Sequence, residues 1–109
     1  MLRTRTQQRN LCTHCPIAKS AHIVGDSIVL IIIRELFKGS KRFGSIVEVL
    51  VGVSTRTITA KLRKMEKEGL VERKEYHEKP PRVEYSLTTK GKGLTGVIAA
   101  LAVYGKKYL

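Results

Sequence analysis

The stretch that decides the fold is VGVSTRTITAKLRKMEKEG, residues 51–69. Ser54 is a strong N-cap and Gly69 a typical helix stop, so the stretch predicts a tight turn and then a helix. One side of that helix is apolar, formed at helical spacing by Ile58, Leu62 and Met65. The preceding residues RFGSIVEVL, 42–50, predict a third short helix of the chain. The two segments therefore form a helix-turn-helix.

The side of this helix opposite the apolar stripe is basic, and it carries Arg56, Thr57, Ala60, Arg63, Lys64 and Lys67. An α-helix fits the major groove of B-DNA, where side chains near its N-terminus reach base edges. We therefore expect base contacts from Arg56 and Thr57, and close approach at the small Ala60. Arg63 and Lys64 are expected to contact phosphate, which sets affinity and register rather than sequence preference.

A β-hairpin, or wing, is predicted over about 70–88. Residues 83–87 alternate apolar and polar side chains, and the connection HEKPPR, residues 77–82, holds two prolines that cannot donate to a sheet ladder. We expect this connection to project as a basic loop that reaches phosphate or the adjacent minor groove. The predicted DNA-binding residues are Ser54, Thr55, Arg56, Thr57, Thr59, Ala60, Arg63, Lys64, Lys79 and Arg82.

Two helices are predicted upstream. The first begins at Cys15-Pro16 and ends near Gly25, and the second runs from a cap at Asp26 or Ser27 through Lys38. Residues 28–33 are apolar on every face, so the second helix is expected to be the buried centre. Residues 1–11 form a basic tail that is expected to be flexible, and 12–109 form a single domain.

A last helix is predicted over about 89–108, opened by Thr88 or Thr89. Its apolar residues exceed what one small core can cover, which predicts a two-fold dimer; packing only within the chain is the alternative. A dimer also places two recognition helices about 34–36 Å apart, in successive major grooves. The predicted dimer interface consists of Leu94, Val97, Ile98, Leu101, Tyr104 and Tyr108.

Composition agrees with a nucleic-acid partner. The chain has 109 residues, 42% hydrophobic, so it is one globular domain and not a multi-domain enzyme. Its 21 Lys+Arg against 9 Asp+Glu give a net charge of +12, which predicts a polyanionic partner such as double-stranded DNA. The apolar runs are far shorter than the roughly 20 residues of a membrane span, and no secretory signal is present. We expect no membrane partner and a cytoplasmic, nucleoid-associated protein.

The motif Cys12-Thr13-His14-Cys15-Pro16 leaves two interpretations open. Cys15 at a helix N-terminus is a candidate redox sensor, with Cys12 available to resolve a sulfenic acid; the alternative is a pair of inert small hydrophobes. Two thiolates do not complete a structural zinc site, and the surroundings of a thioredoxin-like site are missing. We expect no metal, cofactor or enzymatic activity, since phosphate loops and paired carboxylates are also absent, and no small-molecule effector is identifiable.

Several segments resemble the HxlR branch of winged-helix regulators, related more distantly to MarR. They are Cys15-Pro16, 33–36, 41–43, 54–71 and, most specifically, PPRVEYSLTTKG at 80–91. The resemblance implies a mainly α winged helix-turn-helix with a small β-hairpin, whose N- and C-terminal helices form a homodimer on palindromic DNA. It also implies that Cys15 occupies the position from which some relatives sense oxidants. This sequence departs from the family pattern in two places. Gly25-Asp26-Ser27 stands where the family commonly has a Gly-Lys-Trp-like segment. Cys12 is an addition to the usual pattern, and it allows a disulfide between Cys12 and Cys15 in place of one between subunits.

The predicted function is therefore a homodimeric, sequence-specific transcriptional regulator. A sequence-indifferent architectural or chromatin protein is the first alternative, because charge and a winged fold serve it equally well. A protein-interaction module, with the last helix joining a heteromeric complex and the charge serving solubility, is the second.

Overall fold

The chain folds around the apolar helix that the sequence places at its centre. The computed structural model describes residues 15–109. In chain order these form α1 (Pro16–Val24), α2 (Ser27–Leu36), β1 (Lys41–Arg42), α3 (Phe43–Val49), α4 (Thr55–Lys67), β2 (Val71–Tyr76), β3 (Arg82–Leu87), α5 (Thr89–Lys92) and α6 (Thr95–Tyr108).

Helix α2 supplies the middle of the core. Ile32 and Ile33 have no exposed surface, and the apolar stripe of α4 packs against them with Ile58, Leu62 and Met65, each at most 1% exposed. Leu70 and Val71, directly after α4, complete this layer. The predicted buried centre and the predicted inward stripe are both confirmed. Helix α2 ends at Leu36, two residues before the predicted end.

Asp26 joins α2 to α4. One carboxylate oxygen, Oδ1, accepts the N–H of Ile28 at 2.9 Å and of Val29 at 3.2 Å, which caps α2. The other oxygen, Oδ2, forms an ion pair with the Lys61 ammonium on α4. Partial burial raises the pKa of Asp26, but Lys61 and the two N–H donors outweigh it and hold the pKa below its ordinary value of 3.8.

Replacing Asp26 with alanine is expected to lower the free energy of unfolding by about 1–2 kcal/mol at pH 7, because both cap and ion pair are lost. The Asp26 pKa is lower in the folded state, so this stabilisation is present above the unfolded pKa. The stabilisation disappears as the pH falls through the pKa that Asp26 has in the folded protein, which is below 3.8. Urea titrations at several pH values measure it. Asp26→Asn, which keeps a capping oxygen, should lose less; equal stability of wild type and Asp26→Ala would contradict the assignment.

The wing is part of a three-stranded antiparallel sheet with the order β1-β3-β2. In the hairpin, Val71 pairs with Leu87 and Tyr76 with Arg82. The predicted helix over 42–50 is wrong at its start: Lys41 and Arg42 pair with Tyr85 and Glu84 of β3 as a third strand. Helix α3 begins only at Phe43. This pairing is a contact between segments far apart in sequence, so local patterns do not reveal it.

The predicted continuous helix over 89–108 is also wrong, because the structure divides it into α5 and α6. Thr88 caps α5, as predicted, by accepting the N–H of Gly91 at 3.1 Å. At the break, the Leu94 N–H bonds to the Gly91 carbonyl three residues earlier, at 3.1 Å. Gly91 and Gly93, poor helix formers, allow this turn, after which α6 starts anew.

Within residues 15–109, no single helix is long and apolar enough to cross a membrane. Only α1 and α2 taken together meet that length and composition, and they are bent by 80° relative to each other.

Candidate nucleic-acid interface

Helix α4 is anchored at both ends by the features that the sequence predicts. The Ser54 hydroxyl accepts the N–H of Thr57 at 3.1 Å and donates to the Thr57 hydroxyl oxygen at 3.0 Å. At the other end, Gly69 has a φ of +78°, a conformation that favours glycine, and the chain reverses into β2. The helix predicted over about 54–69 runs from Thr55 to Lys67, with Ser54 and Glu68 as its cap residues.

The outward face of α4 brings five predicted residues together. One shallow, open depression is lined by Thr55, Arg56, Thr59, Ala60 and Arg63. Ala60 has only a methyl group, so it adds little bulk to this face between Arg56 and Arg63 in the sequence. The depression lies opposite the buried stripe, on the side of the helix that faces solvent.

This face is a source of uncompensated positive charge. Within residues 15–109, no salt bridge is formed by the exposed cations Arg56, Arg63, Lys64 and Lys67. Lys61, on the flank of the same helix, is instead paired with Asp26. The structure therefore separates one α4 cation that holds the fold together from four that are available to a polyanion.

Thr57 lies apart from the depression. It is half-buried, and its hydroxyl is engaged with the capping Ser54. Thr55 and Thr59 lie beside Arg56 instead, and the Thr59 hydroxyl donates to the Thr55 carbonyl at 2.8 Å. A helix position three residues after a serine cap is the signal that identifies Thr57 as part of the cap.

In the wing, Arg82 is held by its own hairpin. Its guanidinium lies over the Tyr76 ring at 4.1 Å and forms ion pairs with Glu78 at 3.2 Å and Glu84 at 2.9 Å. Lys79, at the exposed tip, forms no salt bridge within the described part of the chain. Arg82 thus braces the wing, a role that sequence reasoning missed although the hairpin register places it opposite Tyr76.

The wing as a whole is formally neutral, not basic. Residues 71–87 contain four cations, Arg73, Lys74, Lys79 and Arg82, and four carboxylates, Glu72, Glu75, Glu78 and Glu84. Arg73 also pairs with Glu75 at 2.7 Å. The positive charge of the candidate interface therefore comes from α4, and the wing adds Lys79 at its tip.

Helix α6 is apolar and exposed. None of its residues is buried. Of the predicted interface, Leu94 and Ile98 pack partly on the core, whereas Val97, Leu101, Tyr104 and Tyr108 are 37%, 47%, 58% and 62% exposed. The Tyr104 and Tyr108 rings already pack on each other, with centroids 5.0 Å apart. Helix α1 likewise buries no residue, and its Ile17 is 79% exposed.

Cys15 is the N-cap residue of α1 and is half-buried. Its carbonyl accepts the N–H of Lys19 at 2.9 Å, and its side chain forms no cap bond. Cys12 lies outside the described residues. In residues 15–109, no group of three or more His, Cys, Asp or Glu side chains is arranged to hold a metal ion.

Comparisons with known proteins agree with the fold. The family model described as HxlR-like helix-turn-helix matches residues 23–109. An uncharacterized HTH-type transcriptional regulator of Synechocystis, sll1512, is 40% identical over 95 residues, which cover 87% of this chain and 70% of that protein. The oxidized form of the redox regulator HypR is similar in structure, with a TM-score of 0.81, 30% identity, and coverage of 87% of this chain and 98% of that one. The reduced form of the transcriptional regulator YodB of Bacillus subtilis is also similar, with a TM-score of 0.73 and 32% identity. The match covers 86% of this chain and 93% of that one.

The fold, with its helix-turn-helix and wing, is that of the winged-helix DNA-binding proteins. The chain belongs to the HxlR-like helix-turn-helix family. It is a transcriptional regulator of a DNA-binding, non-enzymatic class. The predicted fold class, family and regulatory function are confirmed.

Proposed function

We propose that this regulator binds double-stranded palindromic DNA sequence-specifically as a homodimer, which places it at the nucleoid. The observation that carries the proposal is the outward face of α4, where a depression with two arginines is exposed and carries no carboxylate partner among residues 15–109. In each protomer α4 enters the major groove with this face toward the bases.

The roles follow from position along α4. Arg56, in the first turn, reads a base edge, with guanine the favoured partner of its guanidinium. Thr55 and Thr59 flank it, and Ala60 allows close approach. Further contacts go to phosphates, from the N-terminal end at Ser54 and Thr57 and from the cations Arg63, Lys64, Lys67, Lys79 and Arg82.

Dimerisation is supported by the exposed apolar surface of α6 and α1. A helix that is apolar on most sides and has no fully buried residue in its own chain exposes apolar surface that a partner can cover. Val97, Leu101, Tyr104 and Tyr108 form the outermost part of this surface, and Leu94 and Ile98 lie at its base. A two-fold axis through α6 buries the same surface of both protomers at once.

Sequence specificity is tested by selecting duplexes from a randomised pool and measuring their affinity by fluorescence anisotropy. We expect the selected duplex to be palindromic and to bind about 10³-fold or more tightly than a scrambled duplex of the same composition. Equal binding of the two duplexes with a steep salt dependence would instead support the architectural alternative. No salt-dependent binding would support the protein-interaction alternative.

Arg56→Ala is expected to weaken binding to the selected duplex by about 1–3 kcal/mol more than binding to the scrambled one, because a base contact is lost. Lys64→Ala is the matched control on the same face. It should weaken both duplexes alike and reduce the salt slope by about one, as expected for a phosphate contact. Equal losses on both duplexes for Arg56→Ala would remove Arg56 from base readout.

A second proposal concerns regulation, and the similarity to the redox regulator HypR favours it. We propose that oxidation of Cys15 by a peroxide alters DNA binding. The thiolate attacks one oxygen of the peroxide, the O–O bond breaks, and the other oxygen leaves as hydroxide or alkoxide, which gives a sulfenic acid. A second thiol, from Cys12 or from the other protomer, then displaces water to form a disulfide. Non-reducing mass analysis of wild type, Cys12→Ser and Cys15→Ser distinguishes the intrachain from the intersubunit bond. DNA affinity that does not change on oxidation would exclude the switch.

A further inference from the structure

The segment Thr88–Gly91 is part of the stretch 80–91 that most specifically resembles the family. None of the proposed DNA-contacting residues lies in this segment, so DNA binding does not explain its sequence. It connects β3 to α6, and it lies against the C-terminal end of α4. The Thr88 N–H donates to the Leu70 carbonyl at 3.1 Å, and the Thr88 hydroxyl donates to the Gly69 carbonyl at 2.5 Å. The same hydroxyl accepts the Gly91 N–H at 3.1 Å. One side chain therefore ties the start of α5 to the chain reversal after α4.

Lys90 makes a second connection to α4. Its ammonium donates to the carbonyl of Glu68, the C-cap residue of α4, at 2.7 Å. The last carbonyls of a helix have no intrahelical partner and carry partial negative charge, so a cation is favoured at this position. Lys92 belongs to the same short helix but makes no such bond within the described chain.

Gly91 permits this close packing. It is buried, and a Cβ at this position would overlap the Leu70 carbonyl oxygen and lie 2.9 Å from Leu87 Cδ2. Any larger residue would push α5 away from the end of α4. Gly91 is thus packed tightly against the chain that follows α4.

This packing holds the start of α5 against the end of α4, and α6 follows it in the chain. Helix α6 starts three residues after α5 ends, and at this end of the helix Leu94, its N-cap residue, and Ile98 pack partly against the core. We propose that Thr88 and Lys90 are positioning residues that set the separation and relative rotation of the two recognition helices, and so the half-site spacing that the regulator accepts. The inference rests on the proposed dimeric function.

DNA geometry makes this property measurable. Inserting one base pair between two half-sites rotates one of them by about 35° and moves it by about 3.4 Å along the helix axis. A rigid connection between α4 and α6 therefore accepts one spacing, whereas a loosened connection accepts several. A residue that only stabilises the fold affects every spacing alike.

The test uses the full-length protein and the selected palindrome, with the half-sites moved apart or together by one and two base pairs. For wild type we expect about tenfold or greater loss of affinity per base-pair change. For Thr88→Val, Lys90→Met and the double variant, we expect this discrimination to fall to about threefold or less, with unchanged affinity for scrambled DNA. Thr88→Ser, which keeps the hydroxyl, and Lys92→Met, which removes the same charge from α5, should behave as wild type.

Circular dichroism establishes folding of each variant. Because Lys90 is exposed, Lys90→Met keeps the test valid if Thr88→Val does not fold. Discrimination that stays at the wild-type level in folded Lys90→Met and in the double variant, while affinity falls equally at all spacings, would overturn the inference and leave the proposed function intact. A wild-type protein that binds as a monomer, or without sequence preference, would overturn both.

Discussion

Replacing Leu101 with glutamate is expected to convert the regulator from a dimer to a monomer and to lower its affinity for a palindromic operator by about 10²–10⁴-fold. Leu101 lies in the exposed apolar stripe of α6 and is 47% exposed in the single chain. In the proposed dimer it is covered by the other protomer, so a carboxylate there would be buried without a partner. Once the protomers separate, each half-site is bound on its own, and the gain from linking two binding modules is lost.

The measurement combines sedimentation with anisotropy on a full palindrome and on a single half-site. Ala99→Glu is the matched control, because it adds the same charge to the same helix two residues away, about 160° around the helix from Leu101 and also exposed. We expect Ala99→Glu to stay dimeric and Leu101→Glu to retain weak half-site binding. A dimeric Leu101→Glu with full operator affinity would place the dimer interface elsewhere.

Replacing Ile58 with alanine is expected to lower the free energy of unfolding by about 2–5 kcal/mol. Ile58 has no exposed surface and holds the first half of α4 against the core, directly behind the face that carries Arg56 and Ala60. Truncation leaves a cavity that the packed core fills only in part. The total free energy of unfolding of a small domain is only about 5–15 kcal/mol, so this single change removes a large fraction of it.

Urea or thermal unfolding measures the effect. Ile58→Val, which removes one methylene, should cost only about 0.5–1.5 kcal/mol. Val51→Ala, at a residue that is 88% exposed in the turn before α4, should stay within about 0.5 kcal/mol of wild type. A loss below about 1 kcal/mol for Ile58→Ala would show that α4 is held mainly by other contacts, such as the ion pair between Lys61 and Asp26.

The wing illustrates how far sequence reasoning reaches into the candidate site. Its position after α4, its two strands and its proline-containing tip were predictable, because alternation and proline are local signals. The contacts of Arg82 with Glu78, Glu84 and Tyr76 were not predictable from the sequence. They depend on which side chains the hairpin register brings together. Lys79, at the tip, forms no salt bridge within residues 15–109 and is therefore more available to DNA than Arg82.

The sequence by itself determined the helix-turn-helix, the buried α2, the basic outward face of α4 and the apolar character of α6. Each rests on a period or a cap within one segment, such as the serine at position 54 or the spacing of Ile58 and Leu62. Only the tertiary structure decided that Lys41 and Arg42 form a strand, that the last helix divides at 93–94, and that Thr88 and Lys90 bind the end of α4. For the strand and for Thr88 and Lys90, the reason is that polar groups bond to whichever partner the packed chain brings within reach, and that partner lies many residues away in the sequence. The division of the last helix depends on the poor helix formers Gly91 and Gly93 and on the packing of Gly91 against the distant Leu70 carbonyl.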